Sequence, residues 1–134
     1  MQNTDDIGKF ILRATLAILI LFHGVSKIFS GPGFVVGLVS NAGLPPAVAY
    51  LVYVGEVLAP IMILLGIWTR VGALIIVINM LFAFSLVHSK QLMTMSSTGG
   101  WGLELQGFYL FIALAILLLG AGRFSIGGRA GRWN

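Results

Sequence analysis

The chain contains no cysteine. This absence excludes disulfides, thiolate metal sites, iron–sulfur clusters and cysteine nucleophiles. Charge is also scarce, because Asp, Glu, Lys and Arg make up 9% of the 134 residues, whereas soluble domains carry about 25%. Hydrophobic residues make up 58% of the chain, and its mean hydropathy is +1.02. So few charges could not cover the surface of a water-soluble domain, and we expect lipid to surround the chain.

The motifs of autonomous catalysis are missing as well. The sequence has no G-x-x-x-x-G-K-[ST] phosphate loop and no G-x-S-x-G elbow, and no histidines and carboxylates stand at metal-ligand spacing. We therefore predict no metal site. The histidines His23 and His88 are expected at different depths, which disfavours a haem held between them. The basic residues are scattered, so the net charge of +4 does not indicate a nucleic-acid partner.

Four apolar stretches are long enough to cross a hydrocarbon core of about 30 Å as helices. They lie at about residues 7–29, 47–66, 71–87 and 101–120. We therefore predict an all-α, integral membrane four-helix bundle, formed by a single transmembrane domain over residues 1–134 with a basic tail at 121–134. The apolar run between the breakers near residues 30–33 and 41–46 is long enough for a short interfacial helix.

The distribution of Lys and Arg predicts the orientation of the bundle. Successive connections between spanning helices lie on opposite sides of the membrane. Six basic residues then fall on one side and only Lys27 and Lys90 on the other, and the side with more basic residues is expected to be cytoplasmic. Both termini should then face the cytoplasm. The first helix does not have the features of a cleaved signal peptide, because Asp5 and Asp6 precede Lys9 and no small-x-small cleavage signal follows the apolar run. We therefore expect this helix to be retained. The six residues on the cytoplasmic side are Lys9, Arg13, Arg70, Arg123, Arg129 and Arg132.

Charged side chains within the apolar stretches are costly in lipid and are expected to face the bundle interior. Arg13, His23 and Lys27 share one stripe of the first helix, and Glu56 lies near the middle of the second, one turn before Pro60. Counting depth along the helices places Glu56 within reach of Arg13 from one side and of His23 or Lys27 from the other. Two interpretations stay open: an ion pair that only fixes helix register, or a polar pocket in which Glu56 binds a ligand or accepts a proton. Arg13 and Lys27 could also extend toward opposite membrane surfaces.

Other polar residues lie toward the outer half of the bundle. His88, Lys90, Glu104 and Gln106 could line a vestibule there, although polar residues are common at membrane boundaries. Asn79 is predicted to form an interhelical hydrogen bond. Three further residues are assigned to structure and topology rather than chemistry: Arg70 in the short second connection, Trp101 at the membrane boundary, and Arg123 in the tail.

The order and spacing of several motifs cover nearly the whole chain and resemble the DoxX family. The motifs are His23-Gly24-x-x-Lys27-Ile28-Phe29, Gly31-Pro32-Gly33-Phe34, Gly43-Leu44-Pro45, Glu56 followed by Leu65-Gly66-Ile67-Trp68-Thr69-Arg70, and Gly120-Ala121-Gly122-Arg123-Phe124-Ser125.

The resemblance implies a four-helix protein of the bacterial inner membrane, related to the DoxD subunit of thiosulfate:quinone oxidoreductase and to other redox-associated accessory proteins. Relatives often carry an Asp two residues after the Ser of the last motif, where this chain has Gly127. The recurrent polar pattern of the family falls on His23, Lys27, Glu56, Arg70 and Glu104.

Three functions are compatible with these residues. The leading one is a redox-associated accessory subunit whose intramembrane pocket admits a quinone, with Glu56, His23 and Lys27 at its polar end. No cofactor is evident in the chain itself, so this function needs a partner protein, and a homo-oligomer is the other assembly considered. The alternatives are a non-catalytic scaffold or assembly protein, for which Glu56→Gln would be harmless, and a proton-linked small-solute carrier.

Overall fold

The computed structural model describes residues 1–86 and 92–134. In these two ranges the chain is all-helical, with five helices, and no strand is present beyond an isolated bridge between Met95 and Trp101. The predictions for His88 and Lys90 fall outside the described residues. The helices are α1 (Gln2–Ser30), α2 (Gly33–Asn41), α3 (Pro46–Leu65), α4 (Thr69–Leu86) and α5 (Glu104–Leu119).

Three of the five helices are long and apolar enough to cross a membrane, namely α1, α3 and α4. The fourth predicted span corresponds to α5, which is shorter because the chain turns at residues 101–103 and the helix begins only at Glu104. The apolar run between the first two predicted spans forms α2, a helix of 9 residues. A glycine with a φ of 81° at position 31 separates it from α1.

The long helices pack side by side around one apolar core. Helix α1 contacts α3 and α5, while α4 packs against both α3 and α5. The contact surfaces include fully buried alanines at positions 17, 59, 73 and 113, which let the helix backbones approach closely. Larger side chains fill the space between them: Leu16, Ile20, Ile63, Ile76 and Ile116. Gly66, with a left-handed φ of 72°, ends α3, so α3 and α4 are joined by a short turn and lie antiparallel.

Arg13 is 1% exposed and binds main-chain carbonyls. Its Nε donates to the carbonyl oxygen of Ile63 at 2.9 Å, and its Nη2 to that of Leu64 at 3.1 Å, at the end of α3. Its Nη1 donates to Ala121 at 3.0 Å and Phe124 at 2.8 Å, in the segment after α5. These carbonyls carry the partial negative charge that accumulates at the end of a helix and in the chain beyond it.

The structure therefore corrects the prediction that Arg13 reaches Glu56. Gly24 of α1 lies against the main chain of Glu56, and Gly24 is eleven residues, or about 16 Å of helix, beyond Arg13. Counting depth misplaced Arg13 because it set the midpoints of the two apolar runs level, whereas Gly24, six residues after the midpoint of the run 7–29, lies against Glu56.

The segment after α5 folds back over the end of the protein where α1 begins. Asn134 accepts hydrogen bonds from the main-chain N–H and the hydroxyl of Thr69 through its side-chain oxygen, at 3.1 and 2.9 Å. Buried Asp6 pairs with Arg129 and accepts a hydrogen bond from the N–H of Arg123 at 3.1 Å. The start of α1, the turn before α4 and the tail consequently form one joined end of the molecule.

Replacing Arg13 by methionine is expected to destabilise the protein by about 3 kcal/mol or more, since hydrogen bonds to a charged group contribute roughly 1.5–3 kcal/mol each. The free energy of unfolding, measured by SDS titration in mixed micelles, would report the loss. Arg132→Met is the matched control, because Arg132 is exposed and its guanidinium lies over the ring of Trp133. Equal stabilities of the two variants would contradict the role assigned to Arg13.

Candidate ligand cavity

Helix α3 changes its hydrogen-bonding pattern around its one carboxylate. A short π-helical segment, Val54–Leu58, contains Glu56 and is followed by ordinary α-helix from Ala59. Pro60 stands four residues after Glu56 and has no N–H, so it cannot donate to the carbonyl of Glu56. Such π segments are often found at functional sites because they displace side chains from their regular helical positions.

Two glycines bring the neighbouring helices against this segment. A Cβ on Gly24 of α1 would collide with the main-chain carbonyl of Glu56, and a Cβ on Gly55 would collide with the side chain of Asn79 on α4. Glycine is thus required at both positions by close packing. The result is that Glu56 is fixed between α1 and α4.

The Glu56 side chain is paired with a lysine of α1. The Nζ of Lys27 donates to Oε2 of Glu56 at 2.6 Å, and Glu56 as a residue is 8% exposed. The hydroxyl of Tyr53 donates to the main-chain carbonyl of Lys27 at 3.2 Å, which ties the end of α1 to α3. The side chain of Glu56 is 11% exposed and that of Lys27 is 30% exposed, so the carboxylate is the more desolvated partner and depends on the ammonium group for compensation.

The ion pair lies in the wall of a cavity of about 610 Å³ between the helices. All five helices contribute to the lining, which is mostly apolar. A volume of this size lies within the roughly 300–1,000 Å³ of small-molecule sites, which combine apolar walls with a few polar groups. The polar members of the lining are His23, Lys27, Glu56, Asn79, Gln106 and Tyr109.

Two of these polar members meet across the cavity wall. The rings of His23 on α1 and Tyr109 on α5 contact edge to face, with centroids 5.9 Å apart. Asn79, which the sequence predicted to bond between helices, borders the cavity and makes no side-chain hydrogen bond to the other described residues. His23, Tyr109 and Asn79 thus add hydrogen-bonding groups beside the ion pair.

The remaining candidates from the sequence lie elsewhere. Glu104 is exposed at the start of α5 and borders a second, shallower depression with Trp101, whose Nε1 donates to the carbonyl of Leu92 at 2.7 Å. Arg70 donates to the carbonyls of Leu117 and Leu118 at the end of α5, at 2.8 and 3.0 Å. Arg123 and Arg13 belong to the joined end of the molecule, not to the cavity.

Sequence reasoning did not single out Tyr109, the pairing of Asp6 with the tail, or the hydrogen bonds between Asn134 of the tail and Thr69. Tyr109 stands in an apolar run, and its only signal is its position three residues after Gln106, on the same helix face. Asp6 and Asn134 gave no signal, because their partners come from distant parts of the chain. In the described ranges, no three His, Asp or Glu side chains lie together as metal ligands would.

Comparisons with known proteins bear on the family of this chain. The sequence model of the DoxX family matches residues 8–89, which is more than half of the chain. A Bacillus subtilis (strain 168) protein named "Putative oxidoreductase CatD" is 29% identical over 87 residues, which are 65% of this chain and 60% of that protein. The match thus spans less than two thirds of the length of that relative. No solved structure matches the chain.

The close packing at Gly24 predicts the effect of adding a single methyl group. Gly24→Ala should separate α1 from α3 and lower stability by about 1–3 kcal/mol, the usual cost of overpacking. Gly8→Ala in the same helix is the control, since nothing lies within 4 Å of its added Cβ, and it should leave stability unchanged or raise it by up to about 1 kcal/mol. Thermal unfolding in detergent would measure both, and a Gly24→Ala variant as stable as Gly8→Ala would rule out the contact.

Proposed function

This chain belongs to the DoxX family, and we propose that it is a redox-associated accessory protein of the bacterial inner membrane that binds a quinone or a similar small amphipathic molecule. The observation that carries the proposal is the Lys27–Glu56 ion pair in the wall of an otherwise apolar cavity of about 610 Å³. The apolar walls would hold the ring, and the ion pair would bind its oxygen atoms.

The arrangement of polar groups suits a molecule with hydrogen-bonding oxygens. Lys27 can donate to a quinone oxygen, while Glu56 can accept a hydrogen bond from the hydroxyl of the reduced form. His23 and Tyr109 offer a further donor or acceptor beside them. Because quinone reduction takes up protons as well as electrons, a carboxylate and a histidine at the ring could supply or remove those protons.

Electrons would have to come from another protein. The chain has no cysteine, and a quinone needs a donor or acceptor of electrons to change its redox state. We therefore propose a partner subunit, in keeping with the word oxidoreductase in the name of the Bacillus subtilis relative. The scaffold function remains the alternative, since an ion pair that only fixes register would need no ligand.

The proposed membrane topology is a four-helix bundle in a single domain, with α1, α3, α4 and α5 each crossing the bilayer. It is supported by the joined end of the molecule, where the start of α1, the turn before α4 and the tail meet. That end carries most of the basic residues, so it should face the cytoplasm.

The topology can be tested with single cysteines, because the natural chain has none. Arg132→Cys in the tail and Thr98→Cys between α4 and α5 both replace exposed residues. In right-side-out vesicles a membrane-impermeant maleimide should label Thr98→Cys, and it should label Arg132→Cys only after the membrane is opened. Labelling of both cysteines in intact vesicles would contradict the four-span topology.

Glu56→Gln should weaken binding of the reduced, quinol form by about tenfold or more, since it removes the carboxylate that accepts the hydroxyl hydrogen bond, and loss of a charge-assisted hydrogen bond costs roughly 1.5–3 kcal/mol. Purified protein in lipid nanodiscs would be titrated in the absence of oxygen with a short-chain benzoquinol, with binding followed by tryptophan fluorescence or calorimetry. Glu104→Gln makes the same chemical change at an exposed carboxylate outside the cavity and should bind like the natural protein.

The same titration separates the quinone site from the scaffold alternative. Absence of saturable binding by the natural protein would refute the quinone site, and so would a Glu56→Gln variant that folds normally and binds with unchanged affinity. Circular dichroism and size-exclusion chromatography of each variant would show that its fold is intact.

A further inference from the structure

The cavity has two kinds of lining. Its buried wall includes Ile20, Met80 and Glu56, each at most 8% exposed. Its rim is the most exposed part of the lining and includes His23 together with five large apolar side chains: Phe34, Leu51, Ile78, Phe82 and Leu105. Because these residues border the cavity and are also exposed, the rim marks the opening through which the cavity meets its surroundings.

Three residues of the apolar rim lie within the long helices α3 and α4, while Phe34 lies in α2 and Leu105 at the start of α5. Leu51 stands fifteen residues before Gly66, and Phe82 fourteen residues after Trp68, at the two ends of the turn between α3 and α4. Because α3 and α4 are antiparallel, the two side chains lie at about the same height, roughly 21 Å from that turn at 1.5 Å per residue. Ile78 is one turn of helix closer to it. The part of the opening between α3 and α4 is therefore at the side of the molecule, within the length of these two apolar helices.

The chemistry of the rim indicates what lies outside it. A contiguous set of Phe, Leu and Ile side chains around an opening to water would be costly, whereas acyl chains solvate such side chains as well as the protein interior does. A ligand in the cavity would thus contact the ion pair at its polar end and the apolar rim at its other end.

We propose that the cavity opens sideways into the bilayer and that its ligand carries a hydrocarbon chain that leaves through the rim into the lipid. This inference rests on the proposed function and narrows its ligand to a quinone-like ring with a long apolar chain. The ring sits beside Lys27 and Glu56, and the chain passes between Leu51 of α3 and Ile78 of α4. Such a ligand arrives from the membrane and does not cross water.

The test compares two benzoquinones that share a ring and differ in their substituent, one methyl and one decyl. Affinities are measured in nanodiscs and expressed as the mole fraction of ligand in the lipid, so that partitioning into the bilayer does not enter. A tryptophan at position 78 would fill the opening. Ile78→Trp is therefore expected to weaken binding of the decyl compound by about tenfold and to leave the methyl compound nearly unaffected, as overpacking acts only on the chain.

Leu74→Trp is the matched control. Leu74 lies one turn earlier on α4 and is 45% exposed, against 47% for Ile78, but it does not line the cavity. It should change neither affinity. The lateral opening is overturned if Ile78→Trp weakens both compounds alike or weakens neither, while the proposed function stands as long as the natural protein binds them. If the natural protein binds neither compound, the proposed function is overturned, and this inference with it.

Discussion

The structure around the cavity depends on the pairing of one carboxylate with one ammonium group between apolar helices. Glu56 is nearly buried, and a single charge so placed would be strongly unfavourable without a partner at hydrogen-bonding distance. Lys27 meets that requirement at 2.6 Å. The contact requires α1 to lie against α3, which Gly24 permits, and it coincides with the π segment that positions Glu56. Backbone geometry and charge pairing at this site are therefore mutually dependent.

The other buried charges of the described chain are compensated differently. Arg13 is surrounded by main-chain carbonyls, and Asp6 by an arginine and a main-chain N–H. Both groups hold the tail over the end of the molecule, and neither lines the cavity. Arg13 and Asp6 therefore fix the chain at the joined end of the molecule, whereas the Lys27–Glu56 pair borders the cavity in the interior. The distinction indicates a folding role for Arg13 and Asp6, and it supports the proposed role of Glu56 and Lys27 in ligand binding.

Composition and apolar run length predicted an all-helical chain with long apolar helices, because these features depend on local sequence and on the surrounding solvent. The candidate roles of Glu56, His23 and Lys27 came from the cost of charge in lipid, and the structure places all three on one cavity. The partner of Arg13 could not be predicted, since it depends on where the tail folds. The same applies to Asn134, which binds Thr69 across 65 residues of sequence. Long-range hydrogen bonds to main-chain atoms leave no pattern in a single sequence.

The size of the cavity favours a ligand site over an ion pair that only fixes helix register. The close side-chain packing that stabilises the rest of the core is missing from the volume of about 610 Å³ beside the ion pair. If the ion pair only aligned two helices, the protein would be more stable with side chains packed around it, as they are around Ala59 and Ile63. The open volume therefore supports the proposal that a ligand binds here, and the ion pair in the wall favours a ligand with a polar end.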